Sequence, residues 1–302
     1  MYNRDSAFGF LRCVKAASAL VLGLTGMTST PQALAQSATP EQPDAGPMLA
    51  VAPMQDAGHG DAASGQPQPL RLGMPYVVPP HQPGAKVRTP EGLAPLLAER
   101  LGKALSVEPV AAPAAGSGDA PALPTREVDA LLLPVESVDA AAPAGVVIPT
   151  GYRAGIMGIM RTDTDIRRWE DLRGRTVCIA QGSGLAGQLQ ARYGAIEQVY
   201  RAPADALLNL RIGTCDAAVH DSTMLQALLT FPEWKKFSAR LPVQQERDLA
   251  FVVKANDTRL AQTLRAKVGE WRQSDLLAKL TRQSARDIAF EVYLDQEVPD
   301  CH

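Results

Sequence analysis

From residue 166 to residue 221 the chain alternates short apolar runs with helical patterns, and this rhythm limits it to few folds. Ile166 to Leu172 reads as a short helical turn, and Thr176 to Ala180 as a strand of the fully buried type. Gly182 to Gly187 is a glycine-rich turn leading into a helix that contains Leu189 to Tyr193. Val199 and Tyr200 mark a second strand, Ala204 to Ile212 a helix closed by Gly213, and Asp216 to Val219 a third strand. Strands separated by helices pair in parallel, and a parallel sheet needs helices over its faces, so the pattern predicts an α/β layer. Leu249 to Val253 adds a strand. Leu260, Leu264, Val268 and Trp271 then fall on one face of a helix beginning near Arg259. No internal repeat is visible.

The region before this layer is more broken. Leu70 to Gly73 is strand-like and runs into Pro75-Tyr76-Val77-Val78-Pro79-Pro80, a loop stiffened by three prolines. Leu93, Leu96, Leu97, Leu101 and Leu105 have helical spacing, with Thr89 and Pro90 placed as N-cap and first helical residue. A loose Ala/Pro/Gly stretch from Ala111 to Pro124 precedes the apolar strand Ala130 to Leu133. Further upstream, residues 36–69 are rich in Pro, Gly, Ala, Gln and Asp without a sustained apolar period, and read as a flexible leader. At the N-terminus Arg4, Arg12 and Lys15 precede the apolar run Ala16 to Gly26, and Ala33-Leu34-Ala35 supplies a small-x-small cleavage pattern. We expect a signal peptide over residues 1–35, cleavage before Gln36 and a soluble periplasmic product. A membrane anchor is the alternative, but it needs about 20 apolar residues and the run is shorter.

Composition narrows function by exclusion. With 302 residues, 46% hydrophobic and 21% charged, the chain can bury one large core or two modest ones. A formal net charge of -2 and a pI near 6.1 provide no basic field for nucleic acid or anionic membranes, which leaves a small neutral or zwitterionic ligand. Four histidines, His59, His81, His220 and His302, lie far apart and define no metal ligand set. No C-x-x-C occurs, so thiol redox catalysis and a thiolate metal site lack support. No cofactor is called for.

Several segments resemble those of bacterial solute-binding protein family 3, the periplasmic polar amino-acid-binding type that serves ABC transporters. Trp169-Glu170-Asp171-Leu172-Arg173-Gly174-Arg175-Thr176-Val177 resembles the family's opening of the second lobe, "x-x-D-L-K-G-K-x-V". Ala206 to Asp221 resembles "a-L-x-x-L-x-x-G-x-x-D-A-x-v-x-D", and Ile148 to Gly155 resembles the segment that crosses between lobes. Asp287 to Tyr293 sits where relatives carry an aromatic tail after their last helix. The resemblance implies an α/β chain with the two-lobed type II periplasmic binding protein fold. Each lobe is then a sheet flanked by helices, with two crossing strands as hinges near Tyr152 to Gly158 and Asp248 to Val253. Lobe 1 would begin over residues 70–153, lobe 2 span 154–248, and 249–302 return to lobe 1 and end in a C-terminal tail.

The same resemblance places ligand where strand ends and helix N-termini face the cleft. Gly182, Ser183 and Gly184 would receive a carboxylate, and Asp221 would pair with an amino group. Tyr76 would cover one ligand face, Tyr152 lies at the crossing, and Arg88 or Arg153 could act as a carboxylate clamp. Each has a plainer reading: Ser183 and Asp221 as helix caps, Tyr76 packed beneath its prolines, and both arginines solvated. Two family features are missing, the "T-x-x-R" arginine after Val128-Asp129 and the acidic residue of "G-f-x-x-D", where Leu96 stands. His220 is either a cleft hydrogen-bond group or a satisfied histidine.

Cys178 and Cys215 fall on strands that should be neighbours in this fold, so a disulfide between them is preferred, with Cys301 as a competitor. Gly182-Ser183-Gly184-Leu185-Ala186-Gly187 is formally G-x-G-x-x-G, which admits an NADP-binding Rossmann oxidoreductase as a rival. The expectation is a monomeric binding protein rather than an enzyme, partnered by a small-molecule ligand and an ABC permease. A docking or sensory domain serving a periplasmic enzyme or receptor is the alternative.

Overall fold

The computed structural model describes residues 68–112, 127–142 and 145–296. The expected signal peptide, most of the leader, Cys301 and His302 lie outside the described residues.

Among the described residues nine strands form one continuous sheet. β1 (Leu70–Met74) pairs in parallel with β2 (Val107–Ala111) on one side and β3 (Ala130–Val135) on the other. Two long strands follow, β4 (Val146–Met160) and, later in the chain, β9 (Gln244–Val253). Between them come β5 (Thr176–Ala180), β6 (Ile196–Tyr200), β7 (Ala217–Asp221) and the short β8 (Ala239–Arg240), which pairs with the end of β4. The strand order β2-β1-β3-β9-β4-β7-β5-β6 contains one motif twice. From either edge, three parallel strands meet an antiparallel partner: β2, β1 and β3 meet β9, and β6, β5 and β7 meet β4. Only β4 and β9 run through both halves. This is the two-lobed type II periplasmic-binding architecture.

The crossing is irregular where the halves meet. Pro149 pairs with Ala250 and Arg153 with Asp248, so three residues of β4 oppose one of β9. Thr150, fully buried, holds this bulge: its hydroxyl donates to the Leu249 carbonyl at 2.7 Å and accepts the Tyr152 N–H at 3.1 Å. A second shift lies between Ala154 and Ile156.

Helices cover both faces of each half. In the first, α1 (Ala94–Leu105) buries Leu97, Ala98 and Leu101 against β1, β3 and β9, while the four-residue α2 (Val138–Ala141) lies on the other face beside Leu131, Leu133 and Val252. In the second, α3 (Gln188–Tyr193) packs with Trp169 and Leu172 of a single 3-10 turn, opposite α4 (Pro203–Arg211) and α5 (Ser222–Leu228). The chain closes with α6 (Thr258–Gln273) and α7 (Leu276–Asp295).

Three details differ from the sequence reading. α1 starts four residues later than the Thr89-Pro90 signal: Gly92 sits at φ +71°, which ends any helix running back from Leu93, and Pro95 occupies the first turn instead. Val107 to Ala111, unassigned from sequence, is an edge strand. Asp287 to Tyr293 is not a tail beyond the last helix but part of the 20-residue α7. Leu276, Leu277 and Leu280 of that helix pack on the core of the first half, and Ala285, Ile288, Ala289 and Val292 on the core of the second.

Candidate ligand cleft between the lobes

The carboxyl ends of β1, β5 and β7 bring loops of the two lobes face to face. Tyr76, just beyond β1, lies over the backbone of Gly182, just beyond β5: a Cβ at Gly182 would stand 2.9 Å from two Tyr76 ring carbons and 3.3 Å from the Glu91 Cβ. The glycine is therefore required by close approach, and the contact places one face of Tyr76 on the second lobe.

Glu91, on the loop before α1 and 7% exposed, reaches across the same gap. One oxygen lies 2.7 Å from Nδ1 of His220, and the other accepts the Asp221 N–H at 2.9 Å. His220 is completely buried, and its Nε2 has no hydrogen-bond partner among the described residues. A proton there would be a buried donor without an acceptor, so the proton belongs on Nδ1, which donates to Glu91.

Asp221 caps α5. Its Oδ1 accepts the N–H groups of Thr223 (2.9 Å) and Met224 (3.1 Å) and the Thr223 hydroxyl (2.7 Å), while Oδ2 accepts the Tyr152 hydroxyl at 2.7 Å. Burial pushes the Asp221 carboxyl above its usual range, and the Thr223 and Tyr152 donors oppose that rise. Tyr152 is pushed well above the usual phenol value, first by burial and then by the Asp221 charge, so it remains a donor.

The residues singled out from sequence thus separate into groups. Tyr76, Gly182, Tyr152 and Asp221 lie along this interlobe seam, with Asp221 acting as the helix cap. Ser183 folds its own turn: its hydroxyl donates to the Ala180 carbonyl at 2.7 Å and accepts the Leu185 N–H at 3.2 Å, with Gly184 next in the left-handed region. Arg88 is held by Asp205 of α4 at 2.7 Å and by Asp295 of α7. Arg153 pairs with Asp248 at 3.0 Å and lines a crevice of about 590 Å³ beside Arg272 and Arg282. Glu91 was missed. Its signal was an acidic residue directly before Gly92, in the segment where the resemblance looks for an acid a few residues later. Arg201, just beyond β6, also acts here: its charge opposes the rise that burial imposes on the Tyr76 hydroxyl.

The formal G-x-G-x-x-G turn leads into a helix start that is already engaged. The N–H groups of Gly187 and Gln190, at the start of α3, donate to the carboxylate of Glu197 on β6 at 2.5 and 2.8 Å. Cys178 and Cys215 form the preferred disulfide, their Cα atoms 5.9 Å apart, joining β5 to the segment entering β7. Among the described residues no group of three His, Cys, Asp or Glu side chains could hold a metal ion, and no helix is long and apolar enough to cross a membrane.

No family model matches the chain, and no curated protein sequence does. Among solved structures, a P235GK mutant of ArgBP from T. maritima is 24% identical, covers 71% of this chain and 93% of its own, and has a TM-score of 0.44. The GluR0 ligand-binding core in complex with L-glutamate is 19% identical over 73% of this chain and 100% of its own, with a TM-score of 0.45. The substrate-binding protein of an amino acid ABC transporter is 21% identical over 72% and 98%, with a TM-score of 0.42. The fold assignment rests on the strand order, which stands without them.

Proposed function

We propose that this chain is an extracytoplasmic solute-binding protein that captures a small ligand between its lobes and delivers it to an ABC permease. One observation carries the reading: among the described residues, two halves of one sheet repeat the same strand order and share β4 and β9 alone, and their strand ends face each other across the Tyr76–Gly182 and Glu91–His220 contacts. Such a joint opens by bending at the β4 and β9 bulges, and opening exposes polar groups of both lobes to one ligand. The family resemblance in sequence favours an amino acid or a related carboxylate or amine. Arg88 and Arg153 are paired with carboxylates away from the Glu91–His220 contact, so neither is positioned as the carboxylate clamp of an amino-acid site. The role is binding, without a reaction.

The Rossmann reading is disfavoured because two amides at the N-terminus of α3, those of Gly187 and Gln190, already donate to Glu197 at the helix end where that motif seats a pyrophosphate. A thermal-shift screen with amino acids, organic acids, amines and NADP tests the proposal, since a ligand that binds only the native state raises its melting point. A selective rise with one small-molecule class supports it. A rise with NADP alone overturns it, and no rise with any compound turns the assignment toward the docking alternative, to be checked by pull-down from periplasmic extract.

A further inference from the structure

Glu91 belongs to the first lobe, yet both of its oxygens are bound by the second. The donors are the Nδ1–H of His220 and the N–H of Asp221, two successive residues at the end of β7 that converge on one carboxylate. His220 is fully buried with Nε2 unpartnered, which fixes the proton on Nδ1. Asp221 does not compete for these donors, because its own carboxylate is turned to the Thr223, Met224 and Tyr152 donors. Two N–H groups presented together to the two oxygens of a carboxylate recognise the group rather than the residue that carries it. Each has a single hydrogen, so Glu91 and a second carboxylate cannot be held at once.

We propose that His220 Nδ1–H and Asp221 N–H form a carboxylate receptor that Glu91 fills when the lobes are closed, and that a ligand carboxylate enters by displacing Glu91. The proposal rests on reading the interlobe space as the ligand cleft. It adds the group recognised, the two donors that recognise it, and the side chain of the protein itself that occupies them. Glu91 suits this exchange because it sits on a bend ahead of α1 and swings away with the first lobe as the cleft opens.

The test uses the full chain and sodium acetate as the probe. Glu91→Ala empties the receptor without touching either donor, so the variant is expected to melt lower than wild type. About 100 mM acetate should then raise its melting temperature by about 2 °C or more beyond equal chloride, while wild type moves by less than about 1 °C. Glu91→Gln preserves side-chain volume and serves if Glu91→Ala does not fold: acetate should move the Asp221 amide proton downfield in its nitrogen-resolved spectrum. Equal acetate and chloride effects on Glu91→Ala, equal acetate responses of Glu91→Ala and wild type, or an unmoved Asp221 amide in Glu91→Gln would each overturn the receptor. Acetate requires only the two donors, so this result is independent of whether the ligand screen finds a transported solute.

Discussion

The loop from Lys86 to Glu91 reaches the second lobe and α7 through two sets of contacts built on different physics. At its inner end Glu91 is buried and bonded to a buried imidazole and a backbone amide. At its outer end Lys86 and Arg88 meet Asp295, Arg88 also meets Asp205, and the N–H and hydroxyl of Thr89 both donate to Glu291 of α7. Lys86 is 67% exposed, whereas the Arg88 guanidinium is 13% exposed. The inner contact lies out of reach of salt and leaves unpaired donors when broken; the outer one is strongest at Arg88 and fades toward solvent. Six consecutive residues therefore carry both a latch, the proposed point of exchange with a ligand carboxylate, and a clasp onto the helix that joins the two cores.

The largest expected effect is that of Glu91→Ala, which strands two buried donors and should cost about 2–4 kcal/mol in urea unfolding, nearly unchanged between low and high salt. A marked salt dependence would break the distinction. Gly182→Ala comes next. Its new methyl meets the Tyr76 ring at 2.9 Å, so the ring or the lobe must move, at a cost of about 1–3 kcal/mol read by melting and by near-ultraviolet dichroism. Arg88→Ala should cost about 1 kcal/mol at low ionic strength, and the gap from wild type should narrow as sodium chloride rises toward about 0.5 M.

The pH dependence supplies the smallest and most diagnostic difference, because the carboxyls of Asp295, in the outer contact, and of Asp221, beside the inner one, are shifted in opposite senses. Lys86 and Arg88 hold the Asp295 carboxyl below its usual range. Its stabilising contribution is thus complete above the unfolded value near 3.9 and is lost as pH falls through the depressed folded value. Compared with Asp295→Asn, wild type should lose stability on acidification below about pH 4. Burial raises Asp221, so the folded state holds that proton more tightly than the unfolded chain. Relative to Asp221→Asn, wild type should lose stability as pH rises from about 3.9 through the raised value. Paired melting curves across pH 3 to 6 would show slopes of opposite sign, and slopes of one sign would refute the assignment.

Legibility of the fold from sequence followed local signal strength. β5 matches its apolar run residue for residue, because a strand buried on both faces leaves a continuous hydrophobic mark. β2 left no such mark: Glu108 and Pro109 read as loop, and the missing proline N–H is tolerated because β2 is an edge. α7 was missed because three of the five residues it buries, Ser284, Ala285 and Ala289, are small and carry little hydrophobic signal beside Ile288 and Val292. In the cleft, Tyr76, Tyr152, Gly182 and Asp221 were named on resemblance, but Glu91 was not, since a single carboxylate beside a glycine looks like any solvated loop residue.

The sequence by itself determined the α/β rhythm and the strands of the second lobe, because each depends on periodicity, whereas the Cys178–Cys215 pairing was a preference drawn from the resemblance and the structure made the choice over Cys301. Only the tertiary structure decided that Glu91 meets His220 across 129 residues, that Arg88 is committed to α7 rather than to a ligand, and that α7 belongs to both cores. These are choices of partner between distant segments, fixed when two lobes close on each other, and a polar side chain's partner leaves no trace in its own stretch of chain.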